Sequence, residues 1–224
     1  MGLVSIPAVQ AYLGRHASRF LANQLGTSVS IERVDIGLFN RLTLDNVKIL
    51  DQQGKDMLTA RRLSATVDLL PLANGKISIS SAQIFGTHAK LYQVDAQSKP
   101  NFQFVIDSLA SKDTTSTTPL DLRINSLIIR HSSVSFDQLD APQTPERLNP
   151  KHLKLTDISA HILLKALSED SLNVNINRLA CREQSGLQLD RLSMKYEGGR
   201  HYSLLQDFQL RMPGTQVQLG EIEA

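Results

Sequence analysis

Leu42-Thr43-Leu44-Asp45-Asn46-Val47-Lys48-Ile49 decides how this chain folds. Apolar residues take its first, third, sixth and eighth positions, around a polar pair. Strict alternation marks a half-buried strand, because successive side chains point to opposite faces. The step of three from Leu44 to Val47 breaks that phase. A flat strand would send Val47 and Ile49 to the wrong face, so the phrase predicts a bulge or bend at Asp45-Asn46.

The same phrase returns along the chain. It reads Val29, Ile31, Val34, Ile36 around Glu32-Arg33, and Leu58, Ala60, Leu63, Ala65 around Arg61-Arg62. It reads Ile77, Ile79, Ala82, Ile84 around Ser80-Ser81, and Leu122, Ile124, Leu127, Ile129 around Asn125-Ser126. Later copies are Leu153, Leu155, Ile158, Ala160 around Thr156-Asp157 and Val174, Ile176, Leu179, Cys181 around Asn177-Arg178. The last two are Leu187, Leu189, Leu192, Met194 around Asp190-Arg191 and Val217, Leu219, Ile222, Ala224 around Gly220-Glu221. With the opening stretch these make an internal repeat whose unit is one long strand.

The connections fit a meander. Residues 51–55 hold Gly54 for a hairpin turn, and residues 70–76 reverse the chain with Pro71 and Asn74-Gly75. Later turns fall at 167–170, 184–186, 197–200 and 213–214, and residues 137–150, with three prolines, form a loop. Residues 7–25 read as a helix, with Val9, Tyr12, Leu13, Ala17, Phe20, Leu21 and Leu25 at helical spacing and Gly26 as terminator. A short helix is expected around Phe102, Val105, Ile106 and Leu109. Residues 112–119 are too polar to bury and read as a flexible connection. The domain reading is a helix over 1–25 that caps the sheet, strands over 26–98, helix and linker over 99–119, and strands over 120–224. Met1-Gly2 before Leu3, and a final strand phrase with no cap, give the expectation of a piece of a longer protein.

Composition narrows the function. Net charge is +2 over 224 residues with both signs interspersed, so no broad basic face for nucleic acid is expected. No apolar run reaches the length of a membrane span. Cys181 is the only cysteine, sits in an apolar slot of its repeat and reads as a small hydrophobe. The histidines at 16, 88, 131, 152, 161 and 201 lack metal-ligand spacing, and His152 and His161 read as surface residues flanking one strand. No phosphate loop, nucleophile elbow or kinase signature appears. Asp45, Asp68, Asp157 and Asp190 stand at strand ends or bulges, where Asp bonds to nearby backbone. No enzyme, cofactor or metal site is expected. A long meander with one apolar face must cover that face. It can close into a barrel, pair with a second sheet, or curl into a trough lined by Leu, Ile and Val. Composition does not choose among these.

A resemblance does. The order of the helix, Val29 to Ile36, Leu42 to Asp51 with Gly54, Val67-Asp68-Leu69-Leu70-Pro71-Leu72 with Gly75-Lys76-Ile77, Lys90-Leu91-Tyr92 and Asn101-Phe102 resembles the amino-terminal region of the AsmA-like proteins. The likeness is to the branch that contains TamB, in the form found in Bacteroides-type bacteria. It is sharpest over residues 6–106. The resemblance implies a mainly β fold, a long antiparallel meander curled into a β-taco or repeating β-groove. It implies a periplasmic protein, held at the inner membrane by an anchor upstream of this chain, that carries phospholipids toward the outer membrane. It brings no catalytic residues. The expected groove lining for the acyl chains is Val29, Ile31, Val34, Ile36, Leu44, Val47, Ile49, Leu63, Val67, Leu69, Ile77, Ile79, Ile84, Leu91, Leu122, Ile124, Leu127, Ile129, Leu155, Ile158, Val174, Ile176, Leu189 and Leu192. The alternative is a scaffold for outer-membrane protein assembly, whose exposed last strand pairs with a strand of a β-barrel client.

Overall fold

The computed structural model describes residues 7–37, 40–67, 77–110, 120–144, 146–167, 171–199 and 202–223. Helix α1 spans Pro7–Leu25, and four strands follow: β1 Val29–Ile36, β2 Arg41–Leu50, β3 Asp56–Val67 and β4 Ile77–Gln93. Helix α2, Gln103–Ala110, precedes β5 Leu120–Gln138, β6 His152–Leu167, β7 Ser171–Glu183, β8 Gln188–Gly199, β9 Ser203–Met212 and β10 Thr215–Glu223. The strands form one ten-stranded sheet in chain order, so the strands expected before and after the linker share it. β1 and β10 are its two edges, and the sheet is not closed into a barrel.

The sheet is mixed, which corrects the expectation of an antiparallel meander throughout. β4 and β5 pair in parallel, from Ile77 with Leu120 to Gln93 with Gln138, and every other neighbouring pair is antiparallel. A hairpin turn reverses a strand, whereas a parallel pair needs a crossover of a dozen residues or so. The chain from 94 to 119, which carries α2, is that crossover, and it returns the chain to the end where β4 began.

The step of three in the repeated phrase has a backbone cause. Asn46 in β2 has φ 52° and Asp157 in β6 has φ 52°, both in the left-handed region. A left-handed residue breaks the two-residue alternation, so the next apolar side chain returns to the face of the previous one. In β7 and β8 the phrase break is a register shift instead, at Ile176/Leu179 and Leu179/Cys181. In β4 the break at Ser80 is one extra residue between Thr66–Ser81 and Val67–Ile79. Within the strands, three further residues are left-handed: Gly86 in β4, His131 in β5 and Asp207 in β9. Around them stand Ala82, Ile84, Thr87, Ala89, then Leu127, Ile129, Ser132, Val134, then Ser203, Leu205, Phe208, Leu210. Each is the same phrase with Ser or Thr in an apolar slot.

α1 lies along the β1 edge. A Cβ on Gly14 would come within 3.1 Å of the Ile31 carbonyl oxygen, and the Ile31 N–H donates to Ser18 Oγ at 2.9 Å. Ala17 and Leu21 pack on a buried cluster of Ile31, Val34, Val47 and Ala60. The edge strand is thereby covered at its middle and the outward N–H of Ile31 is engaged, which blunts edge pairing there. α2 forms where the short helix was expected, starting at Gln103 just after Phe102; it approaches α1 and buries Phe104. Of the sequence expectations, Leu69, the reversal at 70–76 and the connection at 112–119 lie outside the described residues.

Polar clasps hold the strand ends. Asp51, at 1% exposure, accepts from the N–H groups of Gln53 and Lys55 and from Tyr92 Oη at 3.0 Å. Burial pushes this carboxyl up, but the bonds from Lys55, Tyr92, Asn101 and Gln53 outweigh burial and leave it below its ordinary value. His152 was expected on the surface and is buried. Its Nδ1 meets Asp137 Oδ1 and its Nε2 meets the Ala141 carbonyl, each at 2.9 Å, so both ring nitrogens face acceptors. That arrangement suits the imidazolium, and the Asp137 bond in particular raises its pKa.

Candidate functional site

Residues paired across a sheet share a face, and pairing carries one apolar row through every strand. Val34 pairs with Leu44, Leu44 with Leu63, Leu63 with Ile84 and Ile84 with Ile129. Ile129 pairs with Ala160, Ala160 with Leu179, Leu179 with Leu192, Leu192 with Leu210 and Leu210 with Val217. No polar residue interrupts it from β1 to β10.

Shorter apolar rows flank it. Val29, Ile49 and Leu58 lead to Ala89, Val134 and Leu155. Leu127, Ile162, Ile176 and Met194 form another, as do Val174, Tyr196, Leu205 and Ile222. Ile31, Val47 and Ala60 lead to Thr87, and Ser132 leads to Ile158, so two hydroxyl residues stand in that row. The Thr87 hydroxyl is buried without a hydrogen-bond partner.

The expected lining residues largely fall in these rows. Ile36 pairs with Leu42, Leu91 with Phe136 and Leu189 with Cys181, and the remaining placed residues are those already traced. Val67 pairs with Ile79, Ile77 with Leu120 and Ile79 with Leu122, and the side chains of these residues are outside what the structure describes. The side chain of Ile124 is likewise undescribed, and the residue sits where the β4–β5 register is irregular. The expected lining missed Leu58, Ala60, Ala82, Ala160, Leu179, Met194 and Val217, which stand in the repeated phrase, and Ala89, Val134, Leu205, Phe208 and Leu210, which do not. The same phrase with Ser or Thr allowed in one slot includes those five.

The opposite face differs. One of its rows runs Arg33, Asp45, Arg62, Phe85, Arg130, and another Asp35, Thr43, Ser64, Gln83, Ile128, His161, Arg178. Exposed ion pairs decorate it, among them Arg62 Nε with Asp45 at 2.7 Å and Lys195 with Asp207 at 2.6 Å. Each such pair adds little stability.

All ten strands lie in one sheet, so no second sheet covers the apolar face among the described residues. Full burial of apolar side chains centres on the α1 cluster, with Met57, Phe104 and Ala160 besides. Toward β10 the rows open: Val217 is 37% exposed, Leu219 41% and Ile222 47%. The whole chain exposes 14514 Å², against roughly 10,000 Å² for a compact globule of its mass. A single layer of strands contributes to the excess.

Groups for covalent or metal chemistry are sparse. Among the described residues no three His, Cys, Asp or Glu side chains are grouped to hold a metal ion. Cys181 is partly exposed in its apolar row, and burial pushes its thiol up, away from the reactive thiolate. Among the described residues no helix is long and apolar enough to cross a membrane. No family model and no curated protein matches the chain.

Proposed function

We propose that this chain is a segment of a lipid conduit of the cell envelope, and that its sheet curls into a β-taco whose apolar face receives the acyl chains of phospholipids. The observation that carries this reading is the apolar row from Val34 to Val217, unbroken over ten strands and, among the described residues, without a second sheet over it. An apolar face of that extent on a soluble segment marks a binding surface. A face of Leu, Ile and Val without directed polar groups suits a flexible hydrocarbon chain and is indifferent to the headgroup. Each methylene removed from water contributes about 0.8 kcal/mol. In this reading α1 closes the β1 end, the full-length protein is periplasmic and anchored to the inner membrane, and transfer toward the outer membrane involves no catalysis and no cofactor. The resemblance to AsmA-like proteins supplies the compartment and the choice of phospholipid.

The test is to purify the chain from a Gram-negative periplasm and extract it for lipid mass spectrometry. Leu63→Glu and Ile129→Glu place a charge in the middle of the row at partly exposed positions. Val47→Glu is a poor probe, because Val47 is 2% exposed beneath α1 and a charge there disrupts folding. Phospholipid is expected with the parent and is expected to be lost from both variants, with far-UV circular dichroism unchanged. Lipid-free parent protein, or variants that retain full lipid, would overturn the reading.

One observation favours a second reading. Every residue of β10 is exposed, and among the described residues no strand pairs with its outer edge, beside apolar side chains. As an assembly scaffold the chain would add a strand of an outer-membrane β-barrel protein there. Photo-crosslinks from β10 to such a client, with a lipid-free interior, would establish it in place of the conduit.

A further inference from the structure

On the polar face, where the left-handed residues of β2, β4 and β5 meet, lies a cleft of about 710 Å³. Lys48 and His88 reach it from one cross-strand row, Lys48–Thr59–His88. Arg61, Phe85, Gly86 and His131 are among its other lining residues, and no carboxylate is. We propose that this cleft is a binding site for a phosphate group.

Three details support a built site. The Arg61 guanidinium lies over the Phe85 ring at 6.0 Å, and the His131 ring meets the same ring edge-on at 5.4 Å and 76°. The aromatic ring therefore holds a cation and an imidazole on the same wall. Gly86 makes room for this: it has φ 60°, and a Cβ there would stand 3.1 Å from the Arg61 Cβ. The carboxylates nearby are already engaged, Asp45 by Arg62, Glu32 by Asn46 and Asp56 by Lys48 at 2.8 Å. Among the described residues Arg61 has no ion pair, and its fork of five donors stays open. Lys48 keeps two of its three ammonium donors beyond the Asp56 bond, and His88, whose Nδ1 meets Ser133 Oγ at 2.7 Å, keeps Nε2.

The chemistry selects phosphate over carboxylate. A guanidinium fork, an ammonium and two imidazoles approach from four strands, and a tetrahedral dianion offers oxygens in several directions where a carboxylate offers two in a plane. The chain's net charge of +2 makes this a local site and not part of a broad basic surface. Val47 and Ala60 of one apolar row border the cleft, but its cationic and imidazole side chains belong to the other face, so the site is separate from the acyl-chain surface at Leu63 and Ile129. The phosphate could be that of a soluble ester or of a lipid headgroup presented on a bilayer.

Inorganic phosphate and glycerol 3-phosphate would be titrated at constant ionic strength while the His88 and His131 ring protons are followed by NMR. Binding to vesicles with and without phosphatidic acid would be measured in parallel. Saturable shifts are expected at both rings, and Arg61→Gln should weaken binding about tenfold. His131→Gly keeps the backbone conformation, removes the imidazole and should weaken binding as well. Leu63→Glu, on the other face, should leave it unchanged, so failure of the conduit reading does not carry over. Arg61-dependent binding of glycerol 3-phosphate without binding to phosphatidic acid vesicles assigns a free ester, and Arg61-dependent binding to the vesicles alone assigns a lipid headgroup. Absence of saturable binding to any of these, or equal affinity in parent and both variants, would overturn the proposal.

Discussion

Asp157 is the best place to test the backbone device that holds the apolar row together. It sits inside β6 with φ 52°, its side chain is 71% exposed, and its one ion-pair contact is Arg182 Nη1 at 3.8 Å. Losing that pair costs less than about 0.5 kcal/mol. Substitution by Val or Gly therefore reads almost pure backbone preference. In an ordinary strand Val is favoured over Gly by up to about 1 kcal/mol. At a left-handed position the Cβ clash reverses the order, and a β-branched residue is destabilised by about 1–2 kcal/mol. For a chain of this length that difference is roughly 2–8 °C in unfolding temperature. Urea unfolding of Asp157→Val and Asp157→Gly by far-UV circular dichroism, with Lys154→Val and Lys154→Gly as the ordinary-strand control, gives the sign directly. Gly should be the more stable at 157 and Val at 154. If Val is equal or better at 157, β6 is flat there, Leu153 and Leu155 face away from Ile158 and Ala160, and the continuous row dissolves.

Gly86→Ala combines φ 60° with a Cβ 3.1 Å from Arg61 and should cost more than about 1 kcal/mol in the same unfolding assay. Asp51 has a folded pKa below its unfolded value of about 3.9, so its stabilisation is present above that pH and is lost as the pH falls through the folded value. Urea midpoints measured from pH 6 to acid should fall further for the parent than for Asp51→Asn. His152 has the opposite sign: its raised pKa stabilises the fold below the unfolded value of about 6.5, and that stabilisation is lost as the pH rises through the folded value. Parent protein should lose stability across that rise while His152→Gln does not, and identical pH profiles would remove the Asp137 contact from the account.

Much of the register is legible in the phrase itself. Val29, Ile31, Val34 and Ile36 pair with Ile49, Val47, Leu44 and Leu42, four apolar slots against four, with the polar pairs opposed. The same holds between β2 and β3, because three successive strands break phase at the same level and can pair without slippage. The phrase is hidden where it carries a hydroxyl: Thr87 and Ser132 sit in apolar slots of β4 and β5, which concealed the breaks at Gly86 and His131. Both mark the parallel junction. Parallel pairing was not legible, because alternation within a strand is blind to the direction of its neighbour, and only the path of the crossover decides it. His152 was misread for a related reason: it becomes buried through a loop carbonyl at Ala141 and through Asp137, contacts that no periodicity reports.

The left-handed line across the sheet also ties the two faces together. When a strand keeps Leu44 and Val47 on one side, the residues between them are squeezed outward on the other. In β2, β3 and β5 those residues are Asp45-Asn46, Arg61-Arg62 and Arg130-His131, which are polar or cationic in every case. Apolar continuity on one face thus concentrates charge in a line on the opposite face, and in β4 the outward pair is Phe85-Gly86, a ring and a gap. A cleft floored by an aromatic ring and bordered by cations is the geometric remainder of that arrangement. Removing the bends would flatten both features at once, whereas Arg61→Gln or Leu63→Glu touches one face only. A variant that loses lipid and phosphate together without unfolding would therefore point to the bends, and not to either set of contacting side chains.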